Sequence, residues 1–346
     1  MHAKLSSMSI ASPITWFGGK SRLAPKIIQH FPKHKCYCEP FGGGASVLLA
    51  KEPSPIEVFN DLDGELVNFF RVLRDPCLSA RLRRSLEHTP YARAEFLLAQ
   101  QPTDDPLEAA RRFMVRQRQS FAGKGGEWSF STQKSQRGVA SAVRRWRAGI
   151  ERLPAVHERL RGVQIEHDDW AKVMHRYDGP ETLHFLDPPY IRSLRVEGGY
   201  RHELSDSDHR ELVARLLTVR GMVVLCAYND EKIHKPLERA GWKKVDYDVV
   251  AQSSDRRARR LETLWLSPSV LIHAENRAML CLSPREKMRE GSYQLHRMRV
   301  TSTTGKILGA IERLRRSEQK PTMARVARTI KCSPEHLSRK YRHLFA

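Results

Sequence analysis

The tetrapeptide Asp187-Pro188-Pro189-Tyr190, directly after the apolar run Leu183-His184-Phe185-Leu186, constrains the fold more than any other feature of the chain. Two successive prolines lack the amide hydrogen that a ladder or helix needs, and each pushes the residue before it toward extended backbone. The run must therefore be a short strand that stops in a rigid turn. In open α/β sheets, ligands bind outside the carboxyl ends of the strands. An acid, a fixed backbone carbonyl and an aromatic ring are presented there together. That set suits the exocyclic amine of a nucleobase, whose lone pair is delocalised into the ring. A carboxylate and a carbonyl accepting its two N–H bonds would localise the lone pair, and the aromatic would stack on a base rotated out of its helix. The plainer reading is an ordinary Asp-Pro turn followed by a surface tyrosine.

The N-terminal region supplies the matching pattern. Cys36-Tyr37-Cys38 reads as a buried strand ending at Glu39-Pro40-Phe41, followed by Gly42, Gly43 and Gly44 and a helix start at Ala45. Ile56 to Phe59 reads as a second strand ending at Asn60-Asp61, and a helix follows through Leu66, Phe69, Phe70 and Leu73, with apolar spacing near 3.6. Strand, glycine loop, helix, strand, acid, helix is the opening of a doubly wound sheet. The glycines permit close approach of a ligand to the backbone, but the spacing is neither G-x-G-x-x-G nor that of a phosphate loop, so no pyrophosphate is implied. An acid about 20 residues past the first strand suits ribose hydroxyls, and capping of the following helix by Asp61 or Asp63 is the alternative. Lys20, after Gly18-Gly19, opens a helical stretch expected over 20–30 and could be a solvated side chain.

Further on, Val163-Gln164-Ile165 leads to Asp168-Asp169-Trp170. A helix is expected over 205–219, a strand over 222–227, and a closing hairpin over 242–250 and 261–266. Between the second and third strands, 75–161 reads as helical and Arg-rich. Arg111 to Arg161 holds thirteen Lys and Arg against three Glu, and glycines and aromatics interrupt it near Phe121, Gly123, Trp128 and Phe130. The tail divides into a linker over 268–305 and a basic helical segment over 306–346. There, Thr322 to Phe345 reads as helix, turn, helix, with Arg339 and Lys340 off the apolar stripe. A basic helical hairpin packed on the main domain is the other reading.

Charge narrows the function classes. Sixty Lys and Arg against 39 Asp and Glu give a net charge of +21, which a protein tracking a phosphate backbone needs and an enzyme of small anionic metabolites does not. No run of eighteen apolar residues and no secretory leader pattern is present, so a cytoplasmic protein without a membrane anchor is expected. The six cysteines include no CxxC pair and no zinc-type spacing, so reduced thiols and no metal site are expected.

In order along the chain, Trp16-Phe17-Gly18-Gly19-Lys20, Glu39-Pro40-Phe41 with its glycines, Asn60-Asp61 with Asn68-Phe69-Phe70, and Asp187-Pro188-Pro189-Tyr190 resemble the Dam-type, D12-like class of adenine-specific DNA N6-methyltransferases. The resemblance covers about residues 14–267. It implies a Rossmann-like methyltransferase sheet formed by 14–74 and 162–267, a helical target-recognition insert over 75–161, and S-adenosyl-L-methionine as donor. It further implies double-stranded DNA as partner, with adenine flipped out for transfer to N6. Trp16, Lys20, Asp61 and Asp187 match positions that contact the donor. Glu39, Phe41 and the Gly42 to Gly44 loop would line its methionine half, and Asp61 its ribose. Asp168 looks like the acid near the donor's adenine amine, with Asp169 as alternative, and either could instead cap a helix. Asp187, Pro188, Pro189 and Tyr190 would hold the target adenine. Arg116, Arg118, Lys124 and Arg137 are candidates for phosphate or base contacts, with a solvated helix face as the alternative for each.

One departure matters. Where the best-known members carry Asn-Arg…Tyr-Asn-Gly, this chain reads Arg116-Gln117-Arg118-Gln119-Ser120-Phe121-Ala122-Gly123, so a GATC target does not carry over. The sequence leaves open the target site, a restriction partner and the preference for hemimethylated duplex, and a monomer is the simplest expectation. Cytosine N4 methylation, a structured-RNA substrate and a catalytically idle DNA-binding regulator are the competing readings. An idle fold would predict a broken donor site, whereas Lys20, Asp61, Asp187 and Tyr190 are all present.

Overall fold

A computed structural model of the chain describes residues 9–132, 138–194, 200–250, 259–273, 310 and 322–330. Two compact units divide after Ala274. The first is built on a seven-stranded sheet in the order β3-β2-β1-β4-β5-β7-β6. Its strands are β1 (Cys36–Glu39), β2 (Ile56–Asn60), β3 (Val163–Glu166), β4 (Thr182–Leu186), β5 (Met222–Ala227), β6 (Lys243–Val250) and β7 (Arg259–Leu266). The first five are parallel, and β7 enters antiparallel between β5 and β6. β1, β4 and β5 are buried along their whole length, because helices cover both faces; hence their continuous apolar runs.

Caps readable in the sequence set the helix starts. Asp63 opens α3 (Gly64–Arg74) by accepting from the Glu65 and Leu66 amides. Asp75-Pro76 opens α4 (Pro76–Glu87), and Asp105-Pro106 opens α6 (Pro106–Gln119), beyond α5 (Arg93–Leu98). An acceptor before a first-turn proline satisfies one orphan amide and removes another. Two more helices, α7 (Ser141–Glu151) and α8 (Leu153–Leu160), complete the segment before β3. Asp169 caps α9 (Trp170–Tyr177), a Ser205–Asp208 capping box opens α10 (Asp206–Leu216), and Asp230 caps α11 (Glu231–Arg239). The helix expected over 20–30 is shorter: α1 covers Ala24–Ile28. Pro25 sits in its first turn, while the Lys20 carbonyl is taken up by the Leu23 and Ala24 amides.

The helical segment 75–161, expected as an insert, shares its core with the sheet. Leu82, Leu86, Phe113, Met114 and Trp146 pack in one cluster with Tyr37, Phe59, Phe70 and Phe185. Trp170, Leu212, Leu225, Ile233, Leu237, Trp242 and Trp265 form the core of the opposite face. Cys36, Cys38 and Cys226 are buried free thiols, and Cys77 is exposed.

In the second unit, Met323–Ile330 is helical and buries Val326 and Ala327, with Arg325 and Arg328 outward. The sequence places the first helix of its expected pair over this stretch. The second helix of the expected pair, with Arg339 and Lys340, lies outside the described residues, as does Arg137. No helix among the described residues is long and apolar enough to cross a membrane.

Candidate active site

Because β1 has β2 on one side and β4 on the other, the order in which strands are added reverses between β1 and β4, and the connections leave a crevice at their carboxyl ends. A cavity of about 650 Å³ opens there. Glu39 and the glycine loop reach it from β1, Asp61 from β2, and Asp187 and Pro189 from β4. Trp16 to Lys20 form another wall, and Tyr200 to Leu204 a further one.

The glycine loop is held from both ends. The Gly42 amide donates to the Asn60 carbonyl (2.8 Å), and the Gly43 amide to Asp61 Oδ2 (2.8 Å). A Cβ on Gly42 would stand 2.1 Å from the Phe59 ring. One on Gly43, where φ is +47°, would stand 2.6 Å from Trp16 Nε1. Space and backbone thus both demand glycine here. Asp61 also accepts from the Asp63 amide (2.9 Å), so Asp61 orders the loop while Asp63 takes the helix-capping role. Burial raises the Asp61 carboxyl above its usual value in spite of both amides.

Glu39 is 2% exposed and accepts from the Tyr37 hydroxyl at 3.0 Å. Burial pushes its carboxyl up to about 8; the Tyr37 hydrogen bond opposes the shift and the charge of Asp187 adds to it. Lys20 is not solvated: it is 6% exposed, with its ammonium 2.8 Å from Asp187 Oδ1, 2.9 Å from the Gly18 carbonyl it donates to, and 3.9 Å from Glu262 Oε2. Its acids outweigh desolvation and hold it firmly protonated. Asp187 is raised by burial, and Lys20 works against that rise.

Tyr190 departs from expectation. Its ring does not line the cavity: it is 4% exposed, 4.7 Å from the Lys20 ammonium and edge-on to Tyr228 at 4.4 Å. Its hydroxyl donates to Glu262 Oε2 at 2.6 Å. Pro188 is buried beside it, while Pro189 faces the cavity.

Asp168 also lies apart. Its carboxylate is turned to Arg176 (3.1 Å) and Lys172 (3.4 Å) on α9, while its backbone pairs with the Asn60 side chain. Asp169 caps α9. Trp170 enters the cavity wall instead, its ring stacked on Phe41 at 5.9 Å.

The expected DNA-contact residues separate. Lys124 is exposed on the cavity rim, 5.8 Å from the Phe17 ring. Arg116 pairs with Glu65 (2.6 Å) and donates to the Ala99 carbonyl. Arg118 is turned inward, donating to Thr15 Oγ1 and the Arg145 carbonyl, and burial lowers its guanidinium to about 10.

Several site residues had no motif to announce them: Glu65, Phe113, Trp170, Tyr200, Arg201 and Glu262. The Asp63, Glu65 and Arg201 cluster brings α3 together with the wall at 200–204, with Arg201 3.2 Å from Asp63. An acid in the first turn of α3 was a visible signal for Glu65.

Together, the strand order and the acid-lined crevice at β1 and β4 define a Rossmann-like methyltransferase fold. The chain belongs to the D12 class of N6 adenine-specific DNA methyltransferases, whose family model matches residues 16–249. It is 27% identical over 115 residues to the DNA adenine methylase of Salmonella typhi and 26% identical over 115 residues to that of Escherichia coli (strain K12). Each match covers 32% of this chain and 41% of the relative, so the chain spans about two fifths of the length of the curated relatives it matches. Among the described residues, no cluster of three or more His, Cys, Asp or Glu could hold a metal ion.

Proposed function

We propose that the protein methylates the N6 amine of an adenine rotated out of double-stranded DNA, with S-adenosyl-L-methionine as donor. The observation that carries this reading is the convergence of Asp187, paired with Lys20, on the same cavity as Glu39, the glycine loop and Asp61.

The residues present fit such a donor. The glycine loop leaves room that a Cβ would fill, the walls are acidic where a sulfonium and an ammonium would lie, and Phe41 on Trp170 gives a flat apolar surface for a purine. The cavity is of the size that cofactor sites commonly have. Bound there, S-adenosylmethionine supplies a methyl group already activated by positive sulfur. Asp61 would accept from ribose hydroxyls, its Oδ2 held by the Gly43 amide. Glu39 would face the methionine half.

Lys20 works against the burial that raises the Asp187 carboxyl and so favours its carboxylate form at the strand end. Asp187 and a carbonyl of the diproline turn accept the two N–H bonds of the amine and draw its lone pair out of the ring. As N6 takes the methyl, the methyl's bond to the donor's sulfur would break to leave a neutral thioether, and the cationic amine would then release one proton to solvent; Asp187 faces that charge while it develops. Tyr190 acts from behind, as the ring against the Lys20 ammonium. Lys124 on the rim suits a backbone phosphate.

The test is sequencing of DNA from a methylation-null bacterial host expressing this chain, with Asp187→Ala as control. N6-methyladenine in one sequence context, absent from the control, is the expected result. No modified base, with the pure protein still binding the donor, would move the substrate to RNA. No modified base and no donor binding would favour a regulator with an idle fold.

A further inference from the structure

Glu262 enters the site from the far side of the sheet. β7 runs antiparallel to β5, with Thr263 opposite Ala227 and Leu264 opposite Cys226. This brings the residue preceding Thr263 to the edge where β4 and β5 end. From there the Glu262 carboxylate meets two groups of the site, the Tyr190 hydroxyl at 2.6 Å and the Lys20 ammonium at 3.9 Å. An ammonium has three N–H donors. Around Lys20 the Gly18 carbonyl accepts a hydrogen bond, Asp187 pairs with it at 2.8 Å, Glu262 faces it as a second charge at 3.9 Å, and the Tyr190 ring fills the remaining side. All four side chains of this cluster are largely enclosed. A carboxylate so placed is costly unless its partners are fixed, and the two partners seen here are both groups on which Asp187 depends.

Resting on the functional reading above, we infer that Glu262 is a positioning residue for methyl transfer. It holds Tyr190 and Lys20 and, through Lys20, fixes the direction in which Asp187 presents its carboxylate to the amine. Glu262 does not line the cavity and touches no reacting atom in this arrangement. Its effect should fall on turnover rather than on donor affinity.

The experiment compares purified full-length wild type, Glu262→Gln, Glu262→Ala and Tyr190→Phe. Transfer is measured on DNA carrying the methylated sequence found by sequencing, donor affinity by calorimetry, and folding by thermal melting. Gln keeps an acceptor for Tyr190 but removes the charge facing Lys20; Ala removes both. Misplaced groups commonly cost up to about a hundredfold in rate, so kcat should fall about tenfold in Glu262→Gln and about a hundredfold in Glu262→Ala, with donor affinity within about threefold.

Because the charge of Glu262 raises the Asp187 carboxyl, Glu262→Gln should also move the acid limb of the kcat profile to lower pH. If Glu262 and Tyr190 act as one unit, Tyr190→Phe combined with Glu262→Ala should be no slower than Glu262→Ala alone. Should Glu262→Ala fail to fold, Glu262→Gln and Tyr190→Phe carry the comparison.

Unchanged kcat and an unmoved acid limb in Glu262→Gln would overturn the inference. So would a rate loss matched by an equal loss of donor affinity, which marks a merely structural role. A wild-type chain that methylates no DNA would overturn the functional reading, and this inference with it. An active wild type indifferent to Glu262 overturns the inference alone.

Discussion

The Lys20 ammonium lies 2.8 Å from Asp187 Oδ1, joining the turn after Gly18-Gly19 to the end of β4 across an enclosed site. Neither charge is placed for stability alone. A buried pair of this kind roughly breaks even against apolar residues, whereas removing one partner strands the other.

Lys20→Met should therefore cost about 3 kcal/mol in urea unfolding, the lower end of what breaking a buried pair costs. It should also raise the Asp187 carboxyl further, since Lys20 is what opposes its burial. Transfer at neutral pH should collapse and recover in part as pH rises. A pH–rate profile whose acid limb stays where it is in wild type would remove Lys20 from this role.

Glu39 gives a pH signature in stability. Its carboxyl lies at about 8 in the folded chain against 4.5 ordinarily. Between these values the folded state holds a proton that the unfolded state has lost, so stability falls as pH rises from about 4.5 to 8. Glu39→Gln should flatten this decline in equilibrium melts run across that window. An equally steep decline in the variant would contradict the assignment. If Glu39 faces a cationic donor, donor affinity in wild type should also rise through the same window, and in Glu39→Gln it should not.

Gly42→Ala tests the loop. Its new methyl would stand 2.1 Å from the Phe59 ring, which is itself buried. Overpacking of this kind costs about 1–3 kcal/mol, and the loop must shift into the cavity it lines. Calorimetry should show donor affinity down at least about tenfold, on the scale where each 1.4 kcal/mol is tenfold. Gly126→Ala, with nothing within 4 Å of the added Cβ, should melt like wild type.

Lys124 and Arg118 are separated by salt. Lys124→Ala should weaken DNA binding to all sequences and lower the slope of log affinity against log salt by about 1. Arg118→Ala should leave that slope alone and lower the melting temperature, because Arg118 ties α6 to Thr15 and to the Arg145 carbonyl. A reduced salt slope for Arg118→Ala would return it to the DNA-contact surface.

Much of the scaffold was legible because each strand ends in its own punctuation. Asp187-Pro188-Pro189 stops β4, the glycines stop β1, and Asn60-Asp61 stops β2. These local signals bring Glu39, Asp61 and Asp187 to one crevice with no knowledge of tertiary contacts. Other features depended on partners remote in sequence or on side-chain direction. Glu262 sits in a strand with no motif, and its value comes from Tyr190 and Lys20. Tyr190 follows a motif, yet Glu262 and Tyr228 decide that its ring is enclosed. Asp168 lies two residues past the end of β3, and its carboxylate follows Arg176 and Lys172. A cation four and another eight residues downstream, on the helix that begins at Trp170, was the available clue.

The antiparallel entry of β7 sets an order of events for synthesis. The corner around Lys20 draws one residue from near the start of the chain, two from β4 and its turn, and one from the last strand of the sheet. A nascent chain that has formed every parallel strand still lacks the acid that clamps Tyr190. This corner is therefore complete only once the final hairpin has been made, and a translation product that stops before β7 lacks the carboxylate of Glu262.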